Sequence, residues 1–169
     1  MKDSVLGVRE SILFTRSRLP PYGFIRVIRV LHEGYIVELT IYSDGASRNN
    51  PGEAGAGVYI MQDDRPLERI ARYLGMTTNN IAEYTAAITG LERAVQLGAS
   101  SVKLFADSEL LVKQINGFYK VKNEGLKPLH ARAKELIALI GRVEVQYIPR
   151  AMNKEADALA NKAIDEKLR

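Results

Sequence analysis

Three strand-like segments on short connections, followed by alternating strands and helices, constrain this 169-residue chain more than any other feature. Apolar residues dominate roughly 36–43, 54–62 and 67–75 in strand-like patterns. Glycine-rich 52–57 and Asp63-Asp64-Arg65-Pro66 read as the turns between them. Connections this short favour antiparallel neighbours. Over roughly 80–97 the spacing turns helical, with Ile81, Tyr84, Ile88, Leu91, Val95 and Leu97 apolar. Thr78 or Asn79 is the expected N-cap, and Gly98 the stop. A strand over 102–106, a short helix near 108–116, a helix over 126–140, a strand over 143–148 and a helix over 153–166 follow. The order is β-β-β-α-β-α-α-β-α. Strands separated by helices pair in parallel through right-handed crossovers. The expected fold is α/β: a mixed five-stranded sheet, three antiparallel strands plus two parallel, flanked by helices.

Four carboxylates stand out against this frame. Asp44 ends the apolar pattern Leu39-Thr40-Ile41-Tyr42-Ser43, and Asp107 ends Val102-Lys103-Leu104-Phe105-Ala106. Glu83 lies in the first turn of one helix, and Asp157 near the start of another. Singly, Asp44 suits a turn before Gly45, and Glu83 and Asp157 suit positive helix N-termini. Jointly they point elsewhere, because strand ends and helix starts can converge at one edge of an α/β sheet. Gathered carboxylates repel one another and are expensive to bury without cations. Hard oxygen ligands of this kind suit Mg²⁺ or Mn²⁺.

The local motifs around these residues carry a resemblance. They are Tyr42-Ser43-Asp44-Gly45-Ala46-Ser47-Arg48-Asn49-Asn50-Pro51-Gly52, Thr77-Thr78-Asn79-Asn80-Ile81-Ala82-Glu83-Tyr84, Asp107-Ser108 and Asn153-Lys154-Glu155-Ala156-Asp157. In this order, with matching elements between them, they resemble type 1 ribonuclease H from about Val37 to the C-terminus. The resemblance implies the ribonuclease H-like fold. It also implies hydrolysis of the RNA strand of RNA–DNA hybrids to 5′-phosphate and 3′-hydroxyl products. Two Mg²⁺ ions about 3.5–4 Å apart would serve that chemistry, with Mn²⁺ able to substitute. By resemblance, Asp44 would bridge both ions, Glu83 and Asp107 would hold the ion beside the attacking water, and Asp157 would hold the ion facing the leaving oxygen.

The same resemblance places Gly45, Asn50, Thr78, Asn79 and Glu109 against the substrate. Asn50, Asn79, Glu83 and Glu109 match positions that contact the RNA strand, and only the 2′-hydroxyl distinguishes RNA from DNA there. Glu109 departs from the common glutamine, so it accepts but cannot donate. Thr78 matches a residue that helps hold a DNA phosphate, but the arginine usual two positions earlier is Met76.

Two further segments depart from many bacterial members. Ile148-Pro149-Arg150-Ala151-Met152-Asn153 is short and lacks histidine, as in the archaeal-like branch; His32 and His130 lie elsewhere. Arg150 stays protonated and cannot serve as a base, but its fork suits a phosphate; the alternative is an ordinary surface arginine. Gly117–Gly125 replaces a basic, tryptophan-bearing protrusion. Phe118 and Tyr119 beside Lys120 and Lys122 offer a stacking surface, or else a solvated loop with one aromatic buried.

Charge and composition add bounds. Net charge is +4, and residues 1–36 hold six Lys/Arg against three acidic residues, which leaves only +1 for the other 133. Two bound divalent ions would turn the acidic site positive. The chain has no cysteine, hence no disulfide framework or thiolate metal site, which fits a reducing cytoplasm. No apolar run approaches membrane-spanning length, and residues 1–36 hold no clean secretory core. These residues are expected to be an extension without an assigned role, disordered, with residues 37–169 forming the ribonuclease H domain. A monomer without a membrane partner is expected. Alternatives are a broader nuclease that also cuts double-stranded RNA and a non-catalytic hybrid-binding module. A pure binder gains nothing from four negative charges at its site.

Overall fold

The computed structural model describes residues 36–167, so apart from residue 36 the proposed N-terminal extension lies outside the described residues. Five strands, β1 (Glu38–Ser47), β2 (Gly52–Gln62), β3 (Arg65–Thr77), β4 (Ser101–Ala106) and β5 (Arg142–Tyr147), form one sheet in the order β3-β2-β1-β4-β5. The β1–β2 and β2–β3 pairs are antiparallel, and the β1–β4 and β4–β5 pairs are parallel. The helices are α1 (Asn79–Gln96), α2 (Glu109–Ile115), α3 (Lys127–Ile140) and α4 (Lys154–Lys167), with a 3₁₀ turn at Arg150–Met152. This is the mixed sheet expected from the element order.

Local chemistry explains the boundaries. Asp63 and Asp64 both take positive φ, 50° and 58°, and close the β2–β3 hairpin with the twist that strands favour. Thr78 is the cap of α1, its hydroxyl accepting from the Ile81 N–H at 3.4 Å. Gly98, at φ 71°, ends that helix in the left-handed conformation usual after a C-cap. One face of the sheet packs Leu39, Ile41, Val58, Ile60 and Leu104 against Leu91 of α1, all fully buried. Each such side chain contributes roughly 1.5–3 kcal/mol. That reserve can support charged groups held in unfavourable places.

The glycine-rich stretch 52–57 is not a turn. It is the first half of β2, and α4 lies directly over it. A Cβ on Gly55 would stand 2.4 Å from the Ala160 carbonyl, and one on Gly57 would stand 2.1 Å from that of Ala156. The absent side chains, together with Ala156, Ala160 and Ala163, let helix and strand backbones meet. Residues with turn-like composition serve close packing here.

Strand β1 also runs past its expected end, to Ser47. Its antiparallel partner β2 continues beyond Asp44, whereas its parallel partner β4 stops at Ala106, opposite Ser43. Asp44 therefore sits where one neighbour is paired and the other has just ended.

Candidate active site

The parallel register sets the first contact of the site. Ser43 pairs with Ala106, so the next residues, Asp44 within β1 and Asp107 just past the end of β4, stand at one level. Glu83 reaches them from α1 because Gly45 permits it. A Cβ on Gly45 would lie 2.1 Å from the Glu83 nitrogen. With none there, the strand touches the helix, and the Gly45 N–H donates to Glu83 Oε2 at 3.3 Å. One oxygen from each of Asp44, Glu83 and Asp107 lies within 4.8 Å of the other two.

These groups occupy an unfavourable electrostatic environment. Asp44 is 4% exposed and Glu83 6%. Burial first, then the charges of Asp107 and Asp157, push the Asp44 carboxyl up to about 7. Burial, followed by Asp44 and Asp107, pushes Glu83 up to about 9, against the smaller opposing pull of the Gly45 N–H and the Asn79 side chain. Three hard oxygen donors, crowded, partly desolvated and short of positive partners, fit a divalent cation.

Asp157 stands outside that trio. It lies in the first turn of α4, and the Arg150 guanidinium is laid on its Oδ1, with Nε at 3.1 Å. Its charge still reaches Asp44. Arg150 is in turn held further towards its protonated state, by the Asp157 hydrogen bond first and also by Asp44 and Asp107.

The expected substrate contacts divide into groups. Gly45 and Asn79 line a cavity of about 450 Å³ together with Asp44, Glu83, Asp107 and Arg150. Asn50 adjoins it, its Oδ1 accepting from the Asn79 N–H at 3.1 Å, so the loop after β1 is tied to the start of α1. Thr78 uses its hydroxyl as the helix cap, and Met76 is exposed beside it. Glu109 lies just outside the cavity and pairs with Lys113 at 2.6 Å. Lys113 Nζ also donates to the Tyr119 hydroxyl at 3.2 Å and sits over its ring. Neither aromatic of that loop is buried: Phe118 and Tyr119 are both exposed. Among the described residues, no structure corresponding to a separate protrusion is present.

Two residues that shape the cavity were not singled out from the sequence. Arg48 reaches from the β1 loop to Asn161 at 3.1 Å and to Asp165, which links that loop to α4. Asn153 is buried and bonds both Ser43 and Asp107. The sequence pattern starts the last helix at Asn153, which conceals the long-range role of its side chain.

Comparison with known proteins places this geometry in a family. A family model described as reverse transcriptase-like matches residues 42–163. The structure of RNase H1 from the archaeon Halobacterium salinarum superposes with a TM-score of 0.74 at 38% identity, covering 76% of this chain and 98% of that one. The chain belongs to the type 1 ribonuclease H family. Another ribonuclease H1, LC11, solved in complex with an RNA/DNA hybrid, gives a TM-score of 0.74 at 39% identity, covering 78% of this chain and 99% of that one. A bifunctional protein of Mycobacterium tuberculosis is 40% identical over 131 residues, which are 76% of this chain and 36% of that protein. The chain thus spans about a third of the mycobacterial relative. Among the described residues, no helix of this ribonuclease H domain is long and apolar enough to cross a membrane.

Proposed function

We propose that this chain is a divalent-metal-dependent endonuclease that hydrolyses the RNA strand of RNA–DNA hybrids to 5′-phosphate and 3′-hydroxyl products. The observation that carries the reading is the convergence of Asp44, Glu83 and Asp107 within 4.8 Å in a cavity of about 450 Å³. Asp44, Glu83, Asp107 and Asp157 would hold Mg²⁺, with two ions per site and Mn²⁺ as a substitute. Bound divalent ions supply charge neutralisation, polarisation of the phosphoryl group and a more acidic water.

The remaining roles belong to the chain itself. Gly45 and Asn79 hold Glu83 and form the cavity wall. Asn50, coupled to Asn79, supplies short amide groups suited to a 2′-hydroxyl. Thr78, at the α1 start, faces the strand that is not cut. Glu109 contacts the RNA strand from α2. Arg150 offers a planar fork to the scissile or product phosphate. Residues 37–169 form the working domain and residues 1–36 an extension; it acts in the cytoplasm as a monomer.

The buried carboxylates argue against a pure binding module, because they weaken attraction for a polyanion. The test is cleavage of end-labelled RNA–DNA hybrid, duplex RNA and duplex DNA, with Mg²⁺, Mn²⁺ or chelator. Cutting of the RNA strand only with metal is expected, and duplex DNA should stay intact. An intact hybrid under every metal condition would overturn the reading. Cutting of duplex RNA at a comparable rate would broaden the substrate class.

A further inference from the structure

Asn153 is 1% exposed and joins three elements at the catalytic edge of the sheet. Its Nδ2 donates to the Ser43 carbonyl of β1 at 2.9 Å and to Asp107 Oδ1 beyond β4 at 2.9 Å. The β1–β4 ladder stops at the Ser43–Ala106 pair. The amide therefore takes over at the point where strand pairing gives out, and it fastens the start of α4 to both strands.

The chemistry of the position is selective. Two acceptors share one nitrogen, which requires two neutral N–H protons on a single atom, as a primary amide provides. A hydroxyl offers one proton. A carboxylate offers none and would add charge beside Asp107. A lysine would bring a cation into the cluster and compete with a metal. The other half of the amide shows the cost: Asn153 Oδ1 meets no donor among the described residues. An unpaired buried acceptor is unfavourable by about 1–3 kcal/mol. A side chain needed only for packing would avoid that penalty.

We infer that Asn153 is a positioning residue that fixes the Asp107 carboxylate for cation binding. By engaging Oδ1, it holds the group against Asp44 and Glu83 and restricts its rotation, so the cluster is arranged before any ion arrives. The inference rests on the reading that the cluster binds divalent ions.

Calorimetric titration of the full-length chain with Mn²⁺ tests it, alongside hybrid-cleavage kinetics and thermal melts. Outer-shell partners of metal ligands typically matter 10–100-fold. Asn153→Ala should weaken Mn²⁺ binding by about that factor, lowering kcat with little change in KM. Asn153→Ser, which keeps one proton, should fall between Asn153→Ala and the wild type. In an Asp107→Asn background, removing Asn153 should leave Mn²⁺ affinity unaltered while the melting temperature still falls. Wild-type Mn²⁺ affinity in Asn153→Ala, with reduced stability alone, would reduce the residue to a structural tie and overturn the inference. Fully additive losses in the double variant would overturn it too. If Asn153→Ala does not fold, Asn153→Ser is judged by the same two criteria. A wild-type chain that binds no Mn²⁺ would fail the metal reading itself, an outcome distinct from binding that ignores Asn153.

Discussion

Arg150 rests its guanidinium on a single oxygen of Asp157, Nε donating at 3.1 Å and Nη2 reaching the same atom. The arginine side chain is 75% exposed, so the contact is a surface ion pair that forms and breaks cheaply. A divalent ion held at Asp157, as proposed, would need the lone pairs that the guanidinium now uses. Ion and arginine would then compete for Oδ1, and a displaced Arg150, which already lines the cavity, would be available to a phosphate.

That competition separates two effects of one substitution. Arg150→Ala should bind Mn²⁺ about two- to fivefold more tightly, the scale of a lost surface ion pair, yet cleave hybrid more slowly. Arg150→Lys should recover only part of the rate, because a point charge does not reproduce a fork. Arginine does not titrate, so the pH–rate profile should lose no ionisation. Calorimetry and steady-state kinetics on both variants check this; unchanged cleavage in Arg150→Ala would remove the clamp.

Stability should fall as pH rises when metal is absent. Asp44 and Glu83 keep their protons in the fold up to about 7 and about 9, against ordinary values of 3.8 and 4.5. Between the ordinary and raised values the folded chain binds more protons than the unfolded one, so ionisation favours unfolding. Their stabilising contribution is complete below the ordinary values. It is lost for Asp44 by about 7 and for Glu83 by about 9. In chelator, the melting temperature should decline across this window, and saturating Mg²⁺ should flatten the decline. A melting temperature that climbs through the same range in chelator would contradict the cause assigned here.

Asp44→Asn should separate activity from stability. It removes one of three crowded carboxylates, so melting in chelator should occur at a higher temperature than in the wild type. Hybrid cleavage should drop by more than the 10–100-fold typical of outer-shell losses. Near-normal Mg²⁺-dependent cleavage by this variant would place the reactive centre elsewhere.

Glu109 carries a negative charge to a surface proposed to meet RNA, with Lys113 as its partner at 2.6 Å. Glu109→Gln removes that charge and adds a donor. KM for hybrid should fall while kcat holds, and the gain should shrink as salt rises. A higher KM at every ionic strength would show that the carboxylate itself is the required acceptor.

Local pattern made the element order legible, because apolar spacing and turn residues act over a few positions. The hairpin at Asp63–Asp64, the cap at Thr78, the stop at Gly98 and the sheet topology all follow from such signals. Contacts made across the chain were hidden. Glycine-rich 52–57 has the composition of a turn, and only α4, a hundred residues later, explains it as a packing surface. Asn153 reads as the first residue of the last helix until Ser43, 110 residues earlier, is placed beside it. Phe118 illustrates the remaining ambiguity: an aromatic in a basic loop can turn inward or outward, and sequence does not choose. Here it is outward.

Gly55 and Gly57 hold no functional group, yet they determine how near the helix bearing Asp157 can come. The geometry of the candidate site is thus exposed to damage from a strand that contributes none of the residues lining the cavity. A methyl group at either position would force the α4 backbone outward and carry Asp157 with it. A survey of random variants should therefore find loss-of-activity alleles here whose chemistry is intact, and a second-site change that lets α4 settle back should restore them.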